Sequence, residues 1–287
     1  MSAPEPSGNR GRSLVAGANA LFRAKETSRP AAIRILEDRF AARLAERDLR
    51  VSLVRAARFA IPPLSRAIDE LQTAHCVRHR AIDELVLAAV RDHGCAQLVI
   101  VGAGYDMRAS RFSQTLRGVR LIEVDHPATM ARKVRRLQGV PGVRAVERLP
   151  LDLQFDSLGE ALRKIGLDRA RGTCIVAEGL IHYLSRPRFD RFLDDVAEGA
   201  GGTRFVFSFS HDEMYLRANP LFLALVTAMR EVPALSFQRE ELAGLFRSRG
   251  LDGFRSWNGL EQVKAFAPEA HGRPFPLSQE VAEATRA

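Results

Sequence analysis

Two glycines and two carboxylates in one stretch of the chain have the spacing of a nucleotide-binding site. Gly102 and Gly104 directly follow the apolar run LVIV, and the next apolar run ends with Glu123 and Asp125. Glycines at this point let the backbone, including Ala103 between them, approach a ligand closely. A carboxylate about 20 residues further on is placed to accept hydrogen bonds from a ribose. The stretch predicts a nucleoside site, with one of the two carboxylates facing the ligand.

The loop after the first glycine indicates which nucleoside. A dinucleotide site would have a third glycine where Met107 stands, so that helix and strand pack closely around a pyrophosphate. The loop instead carries Asp106 and Arg108, and an added carboxylate does not favour a pyrophosphate. An adenosine ligand with a cationic centre and no phosphate fits better. S-adenosylmethionine is therefore the predicted cofactor, with NAD as the weaker alternative.

Carboxylates also end two further apolar runs. In LPLDLQ, Asp152 can accept from an adenine amino group, while the backbone N–H of Leu153 can donate to a ring nitrogen. In CIVAEGL, Glu178 followed by Gly179 ends a run that is otherwise apolar. A buried carboxylate needs a partner. We expect the ammonium or sulfonium of the cofactor to be that partner.

The carboxylate of the cofactor needs a cation, and Arg78 is our candidate. A helix is predicted over about 77–93, directly before the first strand. Because a helix rises about 1.5 Å per residue and a strand about 3.3 Å, the start of this helix returns close to the carboxyl end of the strand. Arg78 and Arg80 both lie at that start. A bidentate guanidinium suits a carboxylate, and we expect the other arginine to lie at the surface.

The elements that must position these residues follow two different periods. From 13 to about 94 apolar residues recur at helical spacing, interrupted by Pro62 and Pro63. Short runs rich in Val, Ile, Leu and Phe then predict strands buried on both faces, and the segments between them predict helices. Strands are predicted at 98–101, 119–124, 145–151, 173–177 and 204–208, with weaker candidates at 253–257 and 262–266. Helices are predicted at 107–116, 128–137, 157–164 and 186–200.

Strand alternating with helix predicts an α/β fold with a doubly wound, mostly parallel, seven-stranded sheet. Ligands of such sheets bind beyond the carboxyl ends of the strands. Helices before the first strand and after 210 would lie over these ends as a lid. We predict a disordered N-terminus at 1–12, a helical lid at 13–76 and a Rossmann-like domain at 77–287 with a lid insertion at about 211–245.

The composition limits the cellular compartment and the kinds of binding partner that we expect. The formal net charge is +9, but the arginines are scattered and form neither a basic block nor an alternation with aromatic residues, so a nucleic-acid partner is not expected. No apolar run reaches the ~18 residues of a membrane span, and the N-terminus lacks the apolar core of a signal peptide. The three cysteines lack CxxC spacing and indicate buried, reduced thiols. We expect a cytoplasmic protein without a membrane partner.

With these residues in place, the chain resembles the leucine carboxyl methyltransferase family of S-adenosylmethionine-dependent enzymes, which includes polyketide carboxyl O-methyltransferases. The matching segments, in the family's order, are VRHRAIDELV, VIVGAGYDMRASRF, IEVDHPATMARKVRRL, PLDLQ and AEGLIHYLS. ALFRAKETSRPAAIRILEDRFAARL is a weaker N-terminal match. Two residues depart from the family pattern: Arg39 stands where many bacterial members have proline, and His79 where a small residue is frequent.

The resemblance implies a class I methyltransferase fold and a role for each matched residue. By this resemblance Arg78 holds the cofactor carboxylate, and Gly102 and Gly104 hold its amino-acid portion. Asp125 holds the ribose, Asp152 and Leu153 the adenine, and Glu178 the amino end.

The acceptor of the methyl group decides whether a base is needed. A carboxylate is already ionised at pH 7 and needs none. A hydroxyl would need one, and His182 and His211, each just beyond a strand, are the candidates. Tyr183 is predicted to form a pocket wall with its hydroxyl on the substrate. Arg23 is available to hold an anion, and Phe222 belongs to an apolar stripe at helical spacing that could line an acceptor chamber.

The sequence therefore predicts an O-methyltransferase acting on a carboxylate or phenolic hydroxyl of a small organic metabolite, as in secondary metabolism. A protein C-terminal carboxyl methyltransferase is the nearest alternative, followed by an RNA methyltransferase and by a cofactor-binding protein without turnover. His75 and His79 are four residues apart with Cys76 between them, a spacing that can bind metal. No third ligand lies nearby in the sequence, so we predict no metal site.

Overall fold

The sheet that the sequence predicted is present. A computed structural model describes residues 9–45, 62–199, 201–210, 235–275 and 279–286. Its seven-stranded sheet has the order β3-β2-β1-β4-β5-β7-β6, parallel from β1 to β5, with β7 antiparallel to both of its neighbours. The strands are β1 Gln97–Val101, β2 Arg120–Asp125, β3 Glu147–Pro150, β4 Thr173–Ala177, β5 Arg204–Ser210, β6 Arg255–Trp257 and β7 Gln279–Thr285. The doubly wound, mostly parallel fold is confirmed.

Helices cover both faces of this sheet. In the described residues they are α1 Asn9–Thr27, α2 Ala41–Leu44, α3 Pro62–Arg91, α4 Arg108–Arg111, α5 Pro127–Leu137, α6 Leu158–Lys164, α7 Arg186–Ala197, α8 Arg239–Arg247 and α9 Gly259–Phe266. One apolar layer packs α6, α7 and α8 on the sheet, and another packs α3 and α9 on the opposite face. β1 and β4 are buried at every position because both of their faces are covered.

The N-terminal half differs from the prediction in three places. α3 begins at Pro62 and runs without a break to Arg91. Proline fits the first helical turn, where its missing N–H has no intrahelical partner. The predicted boundary at 76/77 therefore lies within one continuous helix. α1 begins at Asn9, so residues 9–12 are helical where we predicted disorder. The helix predicted at 107–116 is limited to α4 and continues as turns.

The C-terminal part contains one wrong element and one that the sequence analysis missed. The strand predicted at 262–266 is part of α9, whose start is fixed by a capping box between Asn258 and Glu261. The last strand is β7, and its sequence, QEVAEAT, is rich in Glu and Ala, which are depleted in strands. Glu280 and Glu283 are buried there because they pair with Arg239 and Arg204, at 2.7 and 3.2 Å.

The predicted lid insertion is described only at its end, because 211–234 lie outside the described residues. There α8 packs on the sheet, with the ring of Phe246 centred 5.2 Å from that of Phe207. This end of the segment belongs to the packed helical layer. All three cysteines are buried and unpaired. Among the described helices, none combines the length and the apolar character needed to cross a bilayer.

Candidate active site

A cavity of about 160 Å³ opens beyond the carboxyl ends of the strands, where the strand order reverses between β1 and β4. The segments after β1, β2, β3 and β4 line it from the sheet, and α1 and α3 line it from above. All but one of the residues predicted to bind the cofactor lie in this lining: Arg78, Gly102, Ala103, Gly104, Asp106, Asp125, Asp152, Leu153, Glu178 and Gly179. The exception is Glu123.

The glycine loop brings backbone to the cavity wall. Gly102 and Gly104 have φ angles of +66° and +45°, which residues other than glycine rarely adopt. A Cβ atom on Gly102 would also lie 3.1 Å from the side chain of Leu180. The Gly104 N–H donates to the carboxylate of Asp125, which also accepts from the His126 N–H at 2.6 Å. The loop and the end of β2 are therefore fixed to each other.

The two carboxylates of β2 have different partners. Asp125 faces the cavity, and burial raises its pKa. Glu123 instead accepts from the Nζ of Lys133 at 2.8 Å, and both side chains are buried. The prediction that Glu123 contributes to the site is therefore corrected: a buried lysine on α5 needs this carboxylate as its counter-charge.

Asp152 lies at the other end of the cavity, after β3. One of its carboxylate oxygens accepts from the Gln154 N–H at 3.0 Å, and the other lies 3.6 Å from the Nε2 of His126. His126 Nδ1 accepts from the Ala128 N–H, so its proton is on Nε2 and points towards Asp152. The sequence analysis did not assign His126 to the site.

A buried arginine holds three carboxylates together beneath the cavity. Arg108 is 0% exposed and donates to Asp83 at 2.6 Å, to Glu178 at 2.7 Å and to Asp106. Arg111 donates to the second oxygen of Asp83 at 2.8 Å. Burial by itself would raise the pKa of Glu178, but the neighbouring His79, Arg108 and Arg78 hold that pKa well below its usual range. Glu178 is therefore ionised, with protein partners where we expected a cation of the cofactor.

Arg78 reaches the cavity with acceptors on three sides. Its Nε donates to Glu178 at 3.1 Å, its Nη1 to the Gln279 Oε1 at 3.0 Å and its Nη2 to the His75 Nδ1 at 2.9 Å. A guanidinium has five N–H groups. The described residues engage three of them, which leaves one on each Nη for a carboxylate ligand. Arg80 pairs with Glu84 and is 38% exposed at its side chain, as expected for the surface member of the pair.

Two imidazoles lie among these arginines in the neutral form. Burial, followed by Arg78, lowers the pKa of His75 well below its usual value, and burial with Arg108 lowers that of His79. The Nδ1 of His79 lies 2.9 Å from Glu178 Oε2, and its Nε2 lies 3.0 Å from the Nη1 of Arg111. Arg108 Nη2 also lies 2.9 Å from Nδ1, but its two N–H groups have acceptors in Glu178 Oε2 and the His79 carbonyl. Because arginine only donates, Nε2 accepts from Arg111, and the proton on Nδ1 is donated to Glu178.

These residues also form the three-ligand group that the sequence analysis missed. One atom each of His75, His79 and Glu178 lies within 4.8 Å of the others. The carboxylate and both rings already face guanidinium N–H groups of Arg78, Arg108 and Arg111. A metal ion here would be held against these positive charges, so the arrangement disfavours it.

The candidate substrate residues have different positions. Tyr183 and Arg23 line the cavity, and His182 is not among the lining residues. Arg23 is buried, and its guanidinium donates to Asp38 at 2.9 Å and to the Tyr105 carbonyl at 2.7 Å. His211 and Phe222 lie outside the described residues.

His182 is buried, and its Nδ1 has no hydrogen-bond partner among the described residues. Burial, followed by Arg78, lowers the pKa of His182 to about 3. The His182 ring is therefore neutral at any pH at which the protein is expected to work.

The fold is that of class I methyltransferases. A crystal structure from Thermobifida fusca that is named as a methyltransferase covers 100% of both chains with a TM-score of 0.59 at 15% identity, a likeness that shows the fold. The chain itself belongs to the leucine carboxyl methyltransferase family, whose model matches residues 16–197. The family predicted from the sequence motifs is confirmed.

Two relatives extend the comparison, and both are named as S-adenosyl-L-methionine-dependent methyltransferases. The Parafrankia sp. protein is 31% identical over 293 residues, covering 96% of this chain and 86% of the relative. The Frankia alni protein is 35% identical over 167 residues, covering 58% of this chain. The second match spans 54% of the length of that relative.

Replacing Arg108 by methionine should lower the free energy of unfolding by about 3–5 kcal/mol, because three carboxylates lose their buried counter-charge. Urea denaturation measures this. Arg80→Met is the matched control, and removal of its exposed pair with Glu84 should cost no more than about 1 kcal/mol. Equal losses in the two variants would contradict the role assigned to Arg108.

The free energy of unfolding should also fall as the pH drops below about 6.5, the ordinary histidine pKa. His75, His79 and His182 have lowered pKa values in the folded chain, so the unfolded chain takes up protons that the folded chain does not. Between the ordinary and the folded pKa, each such histidine contributes a loss of up to about 1.4 kcal/mol per pH unit.

Urea denaturation between pH 7.5 and 5.5 measures this dependence. His182→Leu should make it less steep, whereas His93→Asn, at an exposed position, should leave it unchanged. A free energy that stays constant over this range in the unmodified protein would show that the histidines are not buried in the neutral form.

Proposed function

We propose that the protein is an S-adenosyl-L-methionine-dependent O-methyltransferase that methylates the carboxylate of a small organic metabolite. S-adenosyl-L-methionine is the cofactor in this proposal, in agreement with the names of the relatives. The observation that carries the proposal is the distribution of charge along the cavity: Arg78 and Glu178 lie at one end, and Asp125 and Asp152 at the other.

The lining residues fit this cofactor. The two free N–H groups of Arg78 would hold its carboxylate, and Glu178 its ammonium. Asp125 would accept from the ribose hydroxyls, since each of its oxygens has lone pairs left beside the backbone bonds that it already accepts. Asp152 and the N–H of Leu153 would hold the adenine. When bound, S-adenosyl-L-methionine supplies an electrophilic methyl group on its sulfonium.

Three of the described histidines, His75, His79 and His182, favour a carboxylate acceptor over a phenolic hydroxyl. A general base is most effective when its pKa is near the working pH, whereas burial lowers the pKa of His182 to about 3. His75 and His79 have lowered pKa values too, and both rings face arginine donors. A carboxylate acceptor is ionised at pH 7 and needs no base. The chain then contributes by aligning the reactants, which can supply ~7–11 kcal/mol.

The N-terminal helix favours a small acceptor over the C-terminal tail of a protein. α1 lines the cavity with Ala16, Asn19 and Arg23, and so covers the ends of the strands. A protein tail would require an open groove at this point. In this proposal α1 forms part of a lid over the carboxyl ends of the strands, with Tyr183 at the wall of the acceptor site. His211 and Phe222 are proposed to complete the acceptor site.

Arg78→Ala should weaken the binding of S-adenosylhomocysteine by well over tenfold. A hydrogen bond to a charged group contributes about 1.5–3 kcal/mol, and the variant removes two from the ligand. Isothermal titration calorimetry measures the Kd. Arg80→Ala, on the same helix with its side chain 38% exposed, should bind as the unmodified protein does. Identical affinities in the two variants would be incompatible with the assignment of Arg78.

Incubation with methyl-labelled S-adenosylmethionine and a panel of aromatic and aliphatic acids should label an acid as its methyl ester. The label should be released by mild base, because an ester is hydrolysed under conditions in which a methyl ether is stable. Liquid chromatography of the extracted products before and after base treatment measures this. A base-stable product would identify a hydroxyl acceptor, and labelling of protein or RNA alone would refute a small-molecule acceptor.

A further inference from the structure

The side-chain amide of Gln279 is a partner of the cofactor-binding arginine that lies far from it in the sequence. Gln279 is the first residue of β7, and its Oε1 accepts from the Nη1 of Arg78 at 3.0 Å. The two residues are separated by 201 positions. Gln279 also lies beyond residues 16–197, to which the family model applies.

The position of Gln279 is itself fixed from two sides. In the register of the sheet it pairs with Ser210 at the carboxyl end of β5. Its backbone carbonyl accepts from the Nε2 of Gln262 at 3.0 Å, and Gln262 is 0% exposed. The amide oxygen of Gln279 is therefore presented to Arg78 from a strand start that β5 and Gln262 both hold.

The three acceptors around Arg78 act on different atoms of its guanidinium. Glu178 accepts from Nε and His75 from Nη2, whereas Gln279 accepts from Nη1. Glu178 is a carboxylate and would draw the guanidinium towards itself. The neutral amide opposite holds the other end of the planar group without adding a charge that would compete with an anionic ligand. Without Gln279, the described residues would hold the planar group only along its Nε and Nη2 side, through Glu178 and His75, and its Nη1 end would be less closely held.

We propose that Gln279 is a positioning residue that orients Arg78 towards the carboxylate of the cofactor. This inference rests on the proposed function, which assigns that carboxylate to Arg78. Gln279 acts through Arg78 and matters only for ligands that carry the carboxylate. Its neutral amide is part of that role, because a glutamate in its place would compete with the ligand for the same guanidinium.

The test compares two ligands in calorimetric titrations. S-adenosylhomocysteine has the carboxylate, whereas 5′-methylthioadenosine lacks the whole amino-acid portion. Gln279→Leu should weaken the binding of S-adenosylhomocysteine about three- to tenfold, as expected for the partial loss of charged hydrogen bonds. The Kd of 5′-methylthioadenosine should change by no more than about twofold. Gln279→Glu should weaken the binding of S-adenosylhomocysteine at least as much as Gln279→Leu does, although glutamate is nearly the same size as glutamine.

Gln97→Leu is the matched control, since Gln97 is a buried glutamine at the opposite end of the sheet and donates to the Asp168 carbonyl at 2.7 Å. It should not change the affinity of either ligand. Equal weakening of both ligands by Gln279→Leu, or none, would overturn the inference while leaving the proposed function intact. Failure of the unmodified protein to bind S-adenosylhomocysteine would overturn the proposed function, and the inference with it.

Discussion

The ionic contacts of Arg108 are the constraint on which the arrangement of the site depends. A guanidinium that is wholly buried is tolerated only if carboxylates surround it, because an uncompensated charge in the interior costs several kcal/mol. Arg108 meets this requirement with carboxylates from three places: Asp83 on α3, Asp106 in the glycine loop and Glu178 after β4. The three elements that form one end of the cavity are thus joined by one side chain. The cavity wall is held by this cluster as well as by the sheet.

The same ionic contacts explain why His75 and His79 are neutral although they lie among charged side chains. Four arginines, Arg23, Arg78, Arg108 and Arg111, surround the rings of His75 and His79. An imidazolium among them would add repulsion and a further desolvation cost. A neutral ring can accept from a guanidinium with one nitrogen, and in His79 the other nitrogen donates to Glu178. His79 therefore connects Arg111 to Glu178.

Most of the sheet and the local motifs could be predicted from the sequence, because they depend on neighbours along the chain. β4 was predicted at its observed bounds, and the glycine loop and Asp125 lie together at the cavity as the spacing indicated. What could not be predicted depends on partners distant in sequence. Gln279 lies 201 residues from Arg78, and Glu178 lies 70 residues from Arg108. β7 was missed for the same reason, since its glutamates are buried only because arginines from elsewhere pair with them.

The balance of charge among the arginines and carboxylates at one end of the cavity bears on the class of ligand. Four arginines there form ion pairs with four carboxylates. The arginines are Arg23, Arg78, Arg108 and Arg111, and the carboxylates are Asp38, Asp83, Asp106 and Glu178. With both histidines neutral, this end of the cavity has no net charge to offer a pyrophosphate, which would bring about two negative charges. A zwitterionic amino-acid group brings one charge of each sign, and it can exchange contacts with Arg78 and Glu178 without changing the sum. The carboxylates at the other end of the cavity, Asp125 and Asp152, would favour the remaining positive charge of a sulfonium cofactor. Charge neutrality thus argues against a dinucleotide on grounds independent of the missing third glycine.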